Sequence, residues 1–186
     1  MYGGLDTWPE PPIDGDEAAT LIGSLDRQRA TFAWKAGGLD AERLQVSMGS
    51  SSVTLGGLLK HLALVEDYHF SVRLWGRDPS APFNTIDWDA DPSWDWTWAP
   101  HDTPETLYAL WQTNVDQSRR SVAEALATGG LDQRMALKWL DGRAPSLRRT
   151  FVDLIEEYAR HVGHADLIRE SIDGVVGEDP PGVHDQ

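Results

Sequence analysis

The chain has 186 residues, 40% of them hydrophobic and 25% charged, with 30 acidic against 16 basic side chains, a formal net charge of -14 and no cysteine. That length and balance suit one ordinary globular domain, and the acidic excess repels phosphate backbones and anionic lipid, so neither nucleic acid nor membrane is an expected partner. Without cysteine there is no disulfide, no zinc ribbon and no thiol nucleophile of the protein's own; without a basic stretch leading into an apolar one near the start, the expected location is cytoplasmic.

The proline-rich residues 1–13 are predicted to form an extended arm. The first helix then opens at Asp14-Gly15-Asp16-Glu17, with Asp14 as cap and Glu17 closing a capping box, and carries Leu21, Ile22, Leu25, Ala30 and Phe32 until Gly37-Gly38 ends it. A second helix follows the loop from Gly49 to Ser52, with Thr54 at its N-cap and an apolar stripe of Leu58, Leu62, Val65 and Val72 reaching to Gly76. Thr103-Pro104-Glu105 starts the third, which runs to about Leu126 before Gly129-Gly130. The fourth begins near Pro145-Ser146 and carries Phe151, Ile155, Tyr158, Val162 and Ala165 to about Ile172, with Gly174 as C-cap.

Four amphipathic helices without hairpin or βαβ signals predict an all-α fold, a four-helix bundle over residues 1–174 followed by a flexible tail over 175–186. Two connections, 77–102 and 129–145, are longer than bundles usually need. Residues 75–98, at and within the first, hold Trp75, Trp88, Trp94, Trp96 and Trp98 mixed with Asp87, Asp89, Asp91 and Asp95. Three roles suit it: cover for the core, an aromatic pocket wall in which Trp94, Trp96 and Trp98 are the candidates, or a partner-binding patch. Asp87-x-Asp89-x-Asp91 begins like a calcium loop, but Pro92 replaces the turn glycine and Trp98 the bidentate glutamate, so calcium is not expected there. Nucleotide-binding glycine motifs and the common hydrolase and zincin motifs are absent.

The chemistry-bearing stretch is Glu156-Glu157-Tyr158-Ala159-Arg160-His161-Val162-Gly163-His164-Ala165-Asp166. At 100° per residue, Glu157, His161 and His164 fall within about 60° of one another, on the edge of the apolar stripe. His61 borders the corresponding stripe of the second helix. A histidine from one helix meeting a Glu-x-x-x-His pair from another supplies three N/O ligands, the set of a catalytic zinc, nickel or iron site with open positions. The same spacing also suits a solvated face or an ordinary side-chain hydrogen bond. His69, His101 and His184 read as structural or solvent-facing.

These residues resemble the DinB/YfiT-like superfamily of metalloenzymes, in the branch similar to mycothiol-dependent maleylpyruvate isomerase and mycothiol S-transferases. The likeness rests on Leu25-Asp26-Arg27-Gln28-Arg29, on Thr54-Leu55-Gly56-Gly57-Leu58-Leu59-Lys60-His61-Leu62 and, most specifically, on the stretch from Glu156 to Asp166. The resemblance implies an up-down-down-up four-helix bundle and a metal held by His61, Glu157 and His161. Glutamate at Glu157 is the isomerase branch's choice. Asp153 stands where many relatives carry another histidine, and the isomerase's second domain is not expected in this chain.

The resemblance further implies a metal-dependent transferase that moves a low-molecular-weight thiol, mycothiol, onto an electrophilic small molecule in detoxification, with zinc as first choice of metal and nickel or iron as alternatives. His164 and Asp153 are then candidates for substrate contact or proton transfer, and a homodimer is one expected assembly. The alternative is a non-catalytic metal- or small-ligand-binding stress-response bundle.

Overall fold

The computed structural model describes residues 8–181, and every regular element among them is helical. Helix α1 spans Glu17–Ala36. Its cap is Asp16, two residues later than the sequence suggested: the side chain of Asp16 accepts a hydrogen bond from the Ala19 N–H at 2.8 Å, the geometry of an N-cap contributing about 1 kcal/mol. Gly15 leads into the cap because a Cβ there would sit 2.4 Å from Pro12 Cγ.

Helix α2 spans Leu55–Asp67, and the chain then continues as a π-helical segment, Tyr68–Arg73. An unbroken α-helix to Gly76 was expected. Periodicity does not announce the change of winding, because apolar residues remain inward on both sides of it, with Leu62, Phe70 and Leu74 all buried. Gly76 stops the run at φ 67°, a conformation that glycine adopts without a Cβ clash. The short α3, Trp94–Thr97, lies in the long connection. Helix α4, Pro104–Thr128, begins where Thr103 Oγ1 accepts from the Thr106 N–H, and α5 spans Leu147–Asp173.

The chain divides into two compact units. One comprises the residues through Leu55 and those from Phe151 onward; the other is Gly56–Thr150. In the first, α1 and α5 share a core of Leu25, Phe32, Ala36, Phe151, Leu154, Tyr158, Val162 and Ile168, with Phe32 edge-on to Tyr158 at 6.4 Å. Arg169 donates to the carbonyls of Lys35 and Gly37, at 3.0 and 2.7 Å, satisfying acceptors that the end of α1 leaves over. The fully buried Lys35 reaches Asp166 at 3.0 Å. Residues 8–12 lie along α1, where Gly23 makes room: a Cβ there would meet Pro11 Cα at 2.7 Å. Arg27 of α1 holds Glu10 at 2.9 Å and Asp179 at 2.5 Å, tying both flanking segments to the helix.

In the second unit, α2, its π extension and α4 surround Leu58, Leu59, Leu62, Phe70, Leu107, Trp111, Val115 and Val122. Ser118 of α4 donates to the Glu66 carbonyl. The connection 129–145 is ordered by backbone pairing: Met135 N–H to the Pro145 carbonyl at 3.0 Å and Leu147 N–H to the Gln133 carbonyl at 2.8 Å. The same connection caps the π segment, because the N–H groups of Ala136 and Leu137 donate to the carbonyls of Leu74 and Arg73.

Candidate functional site

On α5 the expected face is formed. His161 Nε2 lies 3.0 Å from Glu157 Oε1, one turn away, and His161 Nδ1 lies 3.3 Å from His164 Nδ1. His161 is buried, Glu157 half-buried and His164 exposed, so the row runs from the core edge to solvent. Two ring nitrogens facing each other need one N–H and one lone pair. A carboxylate only accepts, so His161 Nε2 donates to Glu157, and the lone pair on His161 Nδ1 accepts from the His164 Nδ1–H. Asp153 sits half-buried one turn before Glu157. Arg160 approaches Glu157 only to 3.9 Å with an exposed side chain, a pair of little energetic weight.

His61 on α2 is set by residues of the Trp-rich connection in its own unit. Its Nδ1 is 2.8 Å from Asp95 Oδ2, and its ring stacks on Trp96 with centroids 4.8 Å apart and planes at 27°. Asp95 is 5% exposed, so this pair is shielded from water. A carboxylate only accepts, so Nδ1 donates to Asp95 and the lone pair of the neutral ring lies on Nε2, the atom that could ligate. A metal-binding histidine is commonly oriented this way, by a carboxylate on its other nitrogen.

The preceding residue holds that arrangement in place. Lys60, 3% exposed, pairs with Asp102 at 2.5 Å and lies 3.8 Å from the centroid of Trp94. Trp94 is itself edge-on to Phe83 and Trp88 at 6.2 Å each. Lys60 and His61 thus fasten four side chains of one segment, Trp94, Asp95, Trp96 and Asp102, to one turn of α2. Asp95 and Lys60 make contacts around His61 that spacing did not single out. The available hint was the alternation Trp94-Asp95-Trp96, an acid flanked by two rings.

The three tryptophans proposed for a pocket wall have different surroundings. Trp96 covers His61, Trp94 belongs to the aromatic cluster, and Trp98 is 49% exposed with its Nε1–H donating to Asp91 at 2.9 Å. Asp87 accepts from the Ala90 N–H and Asp91 from the Trp98 indole, so both outer acids of the calcium-like run accept hydrogen bonds from the connection itself. His69 packs on Tyr68 and His101 on Trp98; His184 lies outside the described residues.

Glu157 and His161 on α5 offer a carboxylate and an imidazole, and His61 on α2 offers an imidazole, donor types that divalent transition ions take. Among sequence families, the model described as mycothiol-S-transferase matches residues 20–174. The chain belongs to the mycothiol S-transferase family. The matched span contains all three donors together with Asp95 and His164, and membership of a mycothiol S-transferase family implies a thiol substrate. No curated protein matches the chain. Among the described residues, no helix is long and apolar enough to cross a membrane.

Proposed function

We propose that the protein is a divalent-metal-dependent transferase that moves a low-molecular-weight thiol, mycothiol, onto an electrophilic small molecule. The observation that carries this reading is the family match over residues 20–174. The reading takes α1, α2, α4 and α5 as the four helices of a DinB-like bundle and His61, Glu157 and His161 as the ligands of one ion, zinc before nickel or iron. A bound ion of this kind would lower the pKa of a thiol at an open position, supplying thiolate at neutral pH. The chain has no cysteine, so the sulfur must come from the cosubstrate.

The chain's own residues have the following roles in this reading. Asp95 keeps the hydrogen of His61 on Nδ1 and its Nε2 available for ligation. With an ion on His161 Nε2 in place of the Glu157 contact, the ring hydrogen would sit on Nδ1 and donate to His164 Nδ1, which would do the same on α5. Glu157 contributes the negative charge that two imidazoles lack. In the transfer, the thiol loses its proton, a C–S bond forms at the electrophilic carbon, and the displaced group leaves with the bonding pair. His164 is the exposed histidine of the row and the candidate to relay the thiol proton to water.

The test is mycothiol consumption across a panel of alkylating electrophiles, measured for purified protein before chelation, after it, and after reloading with Zn²⁺, Ni²⁺ or Fe²⁺. Activity lost on chelation and restored by one ion supports the proposal. Full activity in metal-free protein would overturn it.

A further inference from the structure

The connection between α4 and α5 differs in charge from the rest of the chain. Residues 129–150 hold five of the 16 basic side chains, Arg134, Lys138, Arg143, Arg148 and Arg149, but only two of the 30 acidic ones, Asp132 and Asp141. A positive segment therefore sits in a chain of net charge -14. Its path is set by its own backbone pairing, which closes a tip where the Trp139 N–H donates to the Arg143 carbonyl and the Gly142 N–H to the Trp139 carbonyl, each at 2.9 Å.

An open pocket of about 430 Å³ lies on this segment, lined by Arg134, Trp139, Arg143, Ala144, Pro145 and Arg149. Two of its guanidinium groups are located by contacts with other residues of the wall. Arg134 Nη1 donates to the Ala144 carbonyl at 3.1 Å, and the Arg143 guanidinium lies 5.6 Å from the centroid of the Trp139 ring. Arg143 is already matched by Asp141, which accepts from its Nε at 2.7 Å and its Nη2 at 2.6 Å. Arg134 has no such match: it makes no ion pair among the described residues, and the Ala144 carbonyl occupies one of the five N–H donors that a guanidinium carries.

The positive field acts on the nearest acid. The Arg148 guanidinium, 2.5 Å from Asp132, and the charge of Arg134 hold the Asp132 carboxyl below its usual range although it is exposed. Helix α5 begins at Leu147, two residues past Pro145, so the positive end of its dipole adds to this field.

These features define the ligand chemistry. A guanidinium fork matches the two oxygens of a carboxylate. The pocket is much larger than a bare inorganic ion, and Trp139, whose ring is 43% exposed, offers with Pro145 a surface for a planar hydrocarbon body. A cationic molecule would meet three arginines, and a neutral one would leave the charge of Arg134 unmatched.

We propose that this pocket binds a small aromatic carboxylate, its oxygens accepting from Arg134 while its ring packs on Trp139 and Pro145. The wall belongs to the Gly56–Thr150 unit and contains none of the proposed metal ligands, so binding requires neither a metal nor a thiol.

The test is calorimetric titration of the full chain at low ionic strength with 2-naphthoate, its neutral counterpart 2-naphthamide, and inorganic phosphate, which has charge without a ring. Naphthoate is expected to bind at least about tenfold more tightly than either, the margin that a charge-assisted pair on an aromatic wall supports. Arg134→Gln, which keeps a donor for the Ala144 carbonyl, should erase the preference for naphthoate over naphthamide; Trp139→Ala should weaken both. Equal binding of naphthoate and naphthamide by the unaltered protein, phosphate binding as tightly as naphthoate, or no naphthoate binding at millimolar concentration would each overturn the proposal. So would a naphthoate preference that survives Arg134→Gln or naphthoate binding untouched by Trp139→Ala. The comparison of probes on the unaltered chain decides the matter even if a variant fails to fold.

Discussion

The α5 row and the surroundings of His61 arrive at similar chemistry by different routes. Glu157, His161 and His164 need only a helix: their positions along one chain segment bring the groups to 3.0 and 3.3 Å. His61 instead depends on Asp95, 34 residues away, delivered by a four-residue helix inside a long connection. The first arrangement persists for as long as α5 is helical. The second is only as firm as the packing that holds the connection on α2, and Lys60 with Trp94 and Asp102 supplies much of it.

That contrast orders the expected effects. His161→Ala removes a proposed ligand outright and should reduce metal-dependent mycothiol consumption to the uncatalysed background, measured as kcat/KM. Asp95→Asn and His164→Ala each keep the ligands while loosening an orienting partner, and each should weaken metal affinity by about 10–100-fold in a chelator-competition titration. If Asp95→Asn changes nothing, the connection does not position His61 and the contrast fails.

Lys60→Met keeps the length of the side chain but loses the ion pair and the ring contact. It should destabilise the protein by about 2–3 kcal/mol in urea unfolding, with a smaller loss of metal affinity than Asp95→Asn. An unchanged urea midpoint would mean that the connection is held without it.

Asp67 offers a pH-dependent check in the same unit. Because burial raises its folded-state pKa, the folded protein binds more protons than the unfolded chain between the ordinary aspartate value and the raised one, and stability falls as pH rises through that window. Asp67→Asn should therefore be close to neutral below the window and become more stabilising relative to the unaltered chain as pH rises through it. Unfolding curves at several pH values read this directly. At the small end, Trp98→Ala, on an exposed ring, should shift stability by less than about 0.5 kcal/mol.

The sequence's legibility follows the same division. Helix starts at Thr103 and stops at Gly76 and Gly174 were readable because caps and positive-φ glycines act over a few residues. The face of Glu157, His161 and His164 was readable because helical periodicity alone creates it. Asp16 displaced Asp14 as a cap because either acid satisfies the pattern and only the turn formed by Pro12 and Gly15 chooses between them. The π winding at Tyr68–Arg73 leaves the apolar pattern intact and so leaves no trace in it. Asp95, Lys60 and Asp67 were hidden for a common reason: each acts through residues distant in the chain, on a connection whose path no local rule specifies.

The most direct test of the central claim is elemental analysis of untagged protein beside His61→Ala, in moles of each transition metal per chain after incubation with Zn²⁺, Ni²⁺ and Fe²⁺. The account predicts near-equimolar metal in the unaltered chain and background levels in the variant, with helical content unchanged. No metal in the unaltered chain, or equal metal in both, would contradict it.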